Sequence, residues 1–154
     1  MKRRIPPPIF MLIAAVLMWA LCRWWPIAHW IGRPWNRLGA LPIAIGLAIA
    51  VEAVRRFRHA HTTLNPVDPS KATQLVTDGV FRISRNPMYL GLVLLLMGWA
   101  IWLHSLSPWV ILPLFVFLVT RVQIIPEEQA LEHLFGTDYL AYRRSVGRWL
   151  GRRG

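Results

Sequence analysis

The sequence has few cysteines and few acidic residues. Its 154 residues include one cysteine, Cys22, which excludes an intrachain disulfide and a metal site built from several cysteines. Seven Asp and Glu stand against 18 Lys and Arg, a net charge of +11. The chain also has no phosphate-binding loop, no dinucleotide-binding glycine fingerprint and no serine-hydrolase elbow. No metal site is therefore expected, and several common classes of soluble enzyme are excluded.

Apolar and aromatic residues are abundant instead. Hydrophobic residues, nine Trp among them, make up 55% of the sequence. The mean hydropathy of the chain is +0.40. The basic residues lie between long apolar runs and are not concentrated in one helix that would read nucleic acid. Positive charge beside apolar runs of this length is typical of chains that meet anionic lipid. We therefore predict a membrane protein that does not bind nucleic acid.

Four apolar segments approach the roughly 17 to 25 residues that a helix needs to cross a bilayer. They are Pro8 to Trp25, Leu38 to Val54, Met88 to Leu103 and Pro108 to Ile125. The first lacks a small-residue cleavage site, which favours a permanent anchor over a secretory signal. The fold class predicted is therefore an all-α membrane protein with about four transmembrane helices. The Trp residues between the first two spans suit the membrane interface; they are Trp24, Trp25, Trp30 and Trp35.

The distribution of basic residues predicts the orientation. The segment 55–87 and the C-terminal tail are rich in Arg, whereas the turn 104–107 between the third and fourth spans has no Lys or Arg. The positive-inside rule then places both termini in the cytoplasm, with the active face of the protein there. Arg23, Arg33 and Arg37 in the first outer loop count against this assignment.

The predicted cytoplasmic parts exceed what a simple anchor needs. We divide the chain into residues 1–56, with the first two helices, and residues 57–154, a core with a helical hairpin and C-terminal amphipathic helices. Turn signals mark the loop before the hairpin; they are Asn65-Pro66, Asp68-Pro69 and Asp78-Gly79. Gly79 permits a positive φ, which suits a ligand loop and a plain turn equally well.

The start of the third span has two interpretations. Asn86 and Pro87 suit the cap and first turn of a helix. Arg85 and Tyr89 are not explained by capping, and the helix N-terminus beside them is able to receive an anionic group.

A second group of charged residues follows the fourth span. Arg121 interrupts an apolar helix, which indicates either a functional residue facing protein or a side chain that snorkels to the interface. Pro126 is placed to start a new helix, with Glu127 and Glu128 favourable in its first turn. Three of the four glutamates of the chain nevertheless lie here, including Glu132.

The C-terminal segment predicts two helices separated at Gly136. In the second, the apolar residues share one face and the arginines lie on or near the other. The face consists of Tyr139, Tyr142, Val146 and Trp149. This pattern is typical of an interfacial helix on anionic lipid, although the two tyrosines would equally serve as packing residues.

Two runs of residues in order resemble a known family. They are LVTDGVFRISRNPMYLG at Leu75 to Gly91 and RVQIIPEEQALEHLFGTDYLAYRRSVGRW at Arg121 to Trp149. With the hydrophobic hairpin between them, they resemble the isoprenylcysteine carboxyl methyltransferase and phospholipid methyltransferase superfamily of integral membrane enzymes. Many members have His where this chain has Asn86, which does not titrate near neutral pH.

The resemblance implies methyl transfer from S-adenosylmethionine to an amphiphilic acceptor, a prenylated thiol or carboxylate or a phospholipid amine, whose tail stays in the membrane lipid. It also implies a set of site residues. The residues expected to bind the cofactor are Gly79, Arg85, Asn86, Tyr89, Leu90, Glu127, Glu128, Tyr139 and Tyr142. Those expected to act on the reacting groups are Arg121, Glu127 and Arg143.

Two other functions fit parts of the pattern. A membrane reductase of the sterol type that uses NADPH has a similar Arg-x-Pro-x-Tyr hairpin, but the Glu127-Glu128 pair fits the methyltransferase better. A small membrane scaffold without enzymatic activity is the remaining alternative.

Overall fold

The computed structural model describes residues 6–60 and 73–151. The turn signals Asn65-Pro66 and Asp68-Pro69 lie outside these residues, as does the basic run Lys2-Arg3-Arg4. Within the described ranges the regular structure is helical, apart from residues in isolated bridges such as His29 and Ser105. The predicted all-helical fold class is confirmed.

In the part of the chain that the structure describes, six α-helices are accompanied by short helical turns. The α-helices are α1 (Pro7–Trp24), α2 (Ala40–His59), α3 (Pro87–Trp102), α4 (Ile111–Val119), α5 (Ile125–Phe135) and α6 (Thr137–Ser145). Turns of 3₁₀ helix occupy Trp35–Gly39, Gly79–Arg82 and Ser107–Val110, and a π turn occupies Thr120–Ile124.

Three helical stretches are long and apolar enough to cross a membrane, namely Pro7–Trp24, Trp35–His59 and Ser107–Phe135. The third predicted span forms the shorter apolar helix Pro87–Trp102. The protein thus has three to four apolar helices of the membrane-spanning kind. Pro126 lies in the first turn of α5 with Glu127 and Glu128, as expected, and the π turn joins α4 directly to α5, which gives one helical stretch of 29 residues.

Helices α2 and α3 approach each other through paired glycines. A Cβ on Gly39 would lie 2.4 Å from the carbonyl oxygen of Gly98, and one on Gly46 would lie 2.7 Å from that of Gly91. The pairs run in opposite directions along the two helices, so the packing is antiparallel. Small residues let helix backbones come close where lipid supplies no hydrophobic driving force.

The turn between α3 and α4 packs against the link between α1 and α2. The amide of Leu106 donates to the carbonyl of Ala28 at 3.0 Å, and the rings of His29 and His104 stack with centroids 5.4 Å apart. Residues 103–106 separate α3 from the 3₁₀ turn that leads into α4, so the connection between these helices is short. This end of the bundle is opposite to the end where α5 and α6 meet the start of α1.

Two hydrophobic clusters hold the fold. One joins α1, α3 and α4, and the other places α6 against α2 and the segment 75–82. Tyr139, Tyr142 and Val146 are buried in the second cluster. The expectation that this apolar face lies on lipid is therefore wrong, because protein covers it. The helix also ends at Ser145, and Val146 is already extended.

Candidate functional site

A cavity of about 450 Å³ opens at one end of the bundle and is lined by residues of α5, α6 and the start of α1. This volume lies in the range of small-molecule sites. Its wall is mainly apolar, and the first turn of α1, the middle of α2 and the start of α3 contribute to it. The polar lining residues are Gln74, Arg85, Asn86, Tyr89, Glu127, Glu128, Tyr139 and Tyr142. Seven of these eight belong to the predicted site.

Tyr89 and Glu127 meet across the cavity wall. Helix α3 begins at Pro87, as predicted. Tyr89 lies in the first turn of this helix, and its side chain is buried. Its hydroxyl donates to Oε1 of Glu127 at 2.7 Å. The structure therefore places a carboxylate, held by a phenol, in an apolar cavity, where it suits a cationic group of a ligand.

Glu128 lies between two arginines. Its Oε1 is 3.0 Å from Nη1 of Arg85, and Arg148 binds it in a bidentate manner, with Nη2 at 2.7 Å from Oε2 and Nε at 3.0 Å from Oε1. The side chains of Arg85 and Glu128 are only 4% and 8% exposed. Nε of Arg85 is buried and has no hydrogen-bond partner among the described residues. The three side chains carry an excess of one positive charge.

Tyr139 and Tyr142 connect α6 to the rest of the site. The Tyr139 hydroxyl accepts a hydrogen bond from Arg85 at 3.1 Å, and the Tyr142 hydroxyl donates to the carbonyl of Phe81 at 2.7 Å. Burial raises the pKa of the Tyr139 phenol to about 12, and burial also raises the pKa of Tyr142. Both phenols stay protonated at neutral pH and serve as hydrogen-bonding and packing groups.

Asn86 stands at the cap position of α3 without capping it. No side-chain cap hydrogen bond is present, and its Nδ2 donates instead to the carbonyl of Arg148 at 3.1 Å. Its backbone amide donates to Oγ of Ser84 at 3.0 Å. The side-chain cap predicted for Asn86 is therefore wrong, because the C-terminal segment offers its amide a carbonyl partner.

Gly79 lies behind the cavity wall and not in the lining. Its φ is +57°, and an added Cβ would lie 2.6 Å from Nε of Arg56. Arg56 also binds Asp78, and its Nε donates to Glu52 at 2.7 Å. Gly79 thus lets the loop pass close to the guanidinium on α2, which holds the segment 75–81 against the cavity.

Three other predicted residues lie outside the lining. Leu90 sits one turn into α3, where its amide donates to the carbonyl of Asn86 at 3.0 Å. Arg121 is exposed in the π turn, 5.5 Å from the ring centroid of Phe117, and exposed Arg143 pairs with Glu132 at 3.1 Å. The site roles expected for these residues stay predictions.

Arg148 was missed as a site residue by the sequence reasoning. It appeared there only as one of several basic residues near the polar face of a helix. The structure ends α6 at Ser145 and brings the next residues back toward α3, where Gly147 accepts from the amide of Arg85 at 3.1 Å. Only the Gly147 and Gly151 positions hinted at this return.

Comparison with known proteins identifies relatives of this chain by their sequences. A sequence model of the phospholipid methyltransferase family matches residues 35–138. An uncharacterized protein of Haemophilus influenzae is 40% identical over 63 residues, which are 41% of this chain and all of that protein. No solved structure shows significant similarity to the chain.

A characterised relative agrees with the family match. Protein-S-isoprenylcysteine O-methyltransferase A of Arabidopsis thaliana is 29% identical over 119 residues, which cover 77% of this chain and 58% of that enzyme. The family match spans α2 to the start of α6 and includes every polar lining residue except Tyr139 and Tyr142. The chain therefore belongs to the phospholipid methyltransferase family, and with it to the superfamily of membrane methyltransferases that includes the isoprenylcysteine enzymes.

Proposed function

We propose that the protein transfers a methyl group from S-adenosylmethionine to an amphiphilic acceptor whose tail lies in the membrane. The observation that carries this proposal is the cavity of about 450 Å³ at the end of the bundle, with Glu127, Arg85 and Glu128 in an otherwise apolar wall. Family membership supports methyl transfer over the sterol-type reductase and the scaffold.

The lining matches the chemistry of the cofactor. S-adenosylmethionine has a cationic sulfonium, an amino-acid end with both charges and an adenosine, so it needs a carboxylate, a cation and an apolar slot. Glu127 supplies the carboxylate and Arg85, with its buried unpartnered Nε, supplies the cation. Phe57, Phe81 and Leu131 supply apolar wall.

The side chains of this chain position the reactants. S-adenosylmethionine held by Glu127 and Arg85 would supply a methyl group to a lone pair of the acceptor, and its sulfur would keep the electron pair of the broken bond as a neutral thioether. Tyr89 fixes Glu127 through a 2.7 Å hydrogen bond, so that the carboxylate stays oriented toward a cationic partner. The apolar wall keeps water away from the reacting atoms, and fixed geometry alone contributes several kcal/mol, about 7 to 11 in the best cases.

The acceptor enters from the lipid. Pro6, Pro7 and Pro8 at the start of α1, with Ala50 of α2 and Leu92 of α3, extend the cavity wall along helices that span the membrane. An apolar tail fits there, while the reacting head lies beside Glu127. We place this end of the bundle in the cytoplasm, in agreement with the basic residues of segment 55–87.

Ligand binding to matched variants tests the proposal. Detergent-purified wild-type protein is titrated with S-adenosylhomocysteine and, separately, with NADPH by calorimetry. Glu127→Gln is compared with Glu132→Gln, which changes a partly exposed acid on the same helix that pairs with Arg143. We expect the nucleoside to bind wild type and Glu132→Gln alike and Glu127→Gln at least about tenfold more weakly. Binding of NADPH alone would contradict the proposal.

A further inference from the structure

Two arginines share the buried carboxylate of Glu128: Arg85, which is buried, and Arg148, which is partly exposed. Arg85 and Arg148 both contact this one carboxylate, at 3.0 and 2.7 Å. Arg148 engages both carboxylate oxygens, and Arg85 reaches only Oε1, through Nη1. The carboxylate is therefore largely neutralised by Arg148. A buried cation without a full counter-charge costs free energy unless an anion completes it.

Arg85 retains the capacity to bind that anion. Its side chain is 4% exposed, it lines the cavity, and its Nε has no hydrogen-bond partner among residues 6–60 and 73–151. A guanidinium prefers planar oxyanions, which it binds through adjacent N–H groups. Next to Arg85 lies the N-terminus of α3, a helix of 16 residues whose dipole also favours negative charge.

We infer that Arg85 forms a binding subsite for a carboxylate or phosphate group, and that Arg148 is the positioning residue that keeps Arg85 available by neutralising Glu128. The inference rests on the proposed function, because that function supplies the two molecules from which the anionic group could come. One source is the carboxylate of the cofactor, and the other is an anionic group on the head of the acceptor. Both present the same oxyanion chemistry to Arg85.

The C-terminal segment makes Arg148 suitable for substitution. Its carbonyl, and not its side chain, accepts the hydrogen bonds of Asn86 and Ser84 at 3.1 and 3.4 Å. The amide of Gly151 donates to the carbonyl of Ile83 at 3.0 Å. Replacing the guanidinium therefore leaves these backbone contacts in place. Without the Arg148 guanidinium, Glu128 interacts with Arg85 alone. The remaining pair, Arg85 and Glu128, then carries no net positive charge.

Two pairs of probes separate the sources. The first pair is S-adenosylhomocysteine and 5′-methylthioadenosine, which lacks the amino-acid end. The second is hexadecyl phosphate and hexadecanol, offered in nanodiscs of uncharged lipid. Dissociation constants are measured for wild type, Arg148→Gln, Arg148→Lys and Arg144→Gln, the last being an exposed arginine on α6.

Wild type should prefer the member that carries the carboxylate or phosphate in at least one pair by about tenfold or more, as expected of a charge-assisted hydrogen bond. Arg148→Gln should remove most of that preference and leave binding of the uncharged member within about twofold. Arg148→Lys should recover part of it, and Arg144→Gln should keep it. A purely structural role would weaken both members of a pair equally.

The outcomes are distinct. Preference in the nucleoside pair assigns the subsite to the cofactor carboxylate. Preference in the lipid pair alone assigns it to the acceptor, even if no nucleoside binds and the proposed cofactor is wrong. No preference in either pair for wild type, or a preference that Arg148→Gln preserves, would overturn the inference.

Discussion

The hydroxyl of Tyr89 donates to the carboxylate of Glu127 at 2.7 Å, and this bond joins the start of α3 to α5 across the cavity. The two residues are 38 positions apart in the sequence, and the whole α3–α4 hairpin separates them. The pairing explains why a phenol and an acid stand at the ends of two apolar helices. It fixes the orientation of the carboxylate that we place beside the cofactor.

Removing this phenol should therefore affect ligand binding more than folding. Tyr89→Phe retains the buried ring and deletes the donor, so we expect S-adenosylhomocysteine to bind roughly three- to tenfold more weakly, in line with the loss of about 1 kcal/mol of orientation. Calorimetric titration measures the change. An unchanged dissociation constant would show that Glu127 does not depend on Tyr89.

Tyr142 should matter for stability in a different way. Its hydroxyl donates to the carbonyl of Phe81 at 2.7 Å in a buried cluster. Tyr142→Phe leaves that buried carbonyl without this donor, which should cost about 1 to 3 kcal/mol of unfolding free energy. The thermal midpoint in detergent measures this loss. A midpoint equal to that of wild type would contradict the packing described for α6.

The two buried phenols also predict sensitivity to alkali. Burial raises the pKa of Tyr139 and of Tyr142 above the ordinary value near 10. The unfolded chain therefore releases these protons first as pH rises, and their contribution to stability is complete below about pH 10 and is lost above it. The thermal midpoint should fall more steeply above pH 10 in wild type than in Tyr139→Phe. Equal slopes would argue against burial of that phenol.

The glycine contacts between α2 and α3 predict a positional effect. A Cβ on Gly46 would lie 2.7 Å from the carbonyl oxygen of Gly91, whereas one on Gly32 meets nothing within 4 Å. Gly46→Ala should lower the unfolding free energy by about 1 to 3 kcal/mol, the usual cost of overpacking. The matched control Gly32→Ala should change it little. Equal thermal midpoints for the two variants would contradict the close helix contact.

Arg121 allows a test of whether a residue that the sequence places in the site, but that lies outside the cavity lining, affects the reaction. It lies in the π turn beside Phe117 and outside the cavity lining. In a single-turnover assay we expect Arg121→Ala to retain a rate within about threefold of wild type, while Glu127→Gln loses at least about tenfold. A tenfold loss in Arg121→Ala would instead support the catalytic role that its place in the sequence predicts.

The sequence predicted the elements of the fold better than the contacts of the site. Apolar length identified the spans, and the motifs of polar residues identified most of the polar residues that line the cavity. The end of α6 at Ser145 was not foreseen, because the apolar spacing continues to Trp149 while the backbone has already become extended at Val146. The return of Arg148 to Glu128 follows from that backbone change, for which the glycines at 147 and 151 are the sequence signal.

Asn86 shows the same limit. Its residue type is well suited to a helix cap, and it stands at the cap position, yet its amide binds the carbonyl of Arg148. Local propensity describes what a side chain does when only its neighbours compete for it. A carbonyl 62 positions away prevails here, and sequence spacing does not encode that contact.

Transfer of an isotopically labelled methyl group tests the central claim most directly. Wild-type protein in nanodiscs made from bacterial polar lipid, supplemented with a prenylated cysteine, is incubated with S-adenosylmethionine that carries a labelled methyl group. Label in the organic-extractable fraction is then measured. The account predicts that wild type and Glu132→Gln transfer label and that Glu127→Gln transfers at least about tenfold less. Equal label in wild type and Glu127→Gln, or none in either, would contradict it.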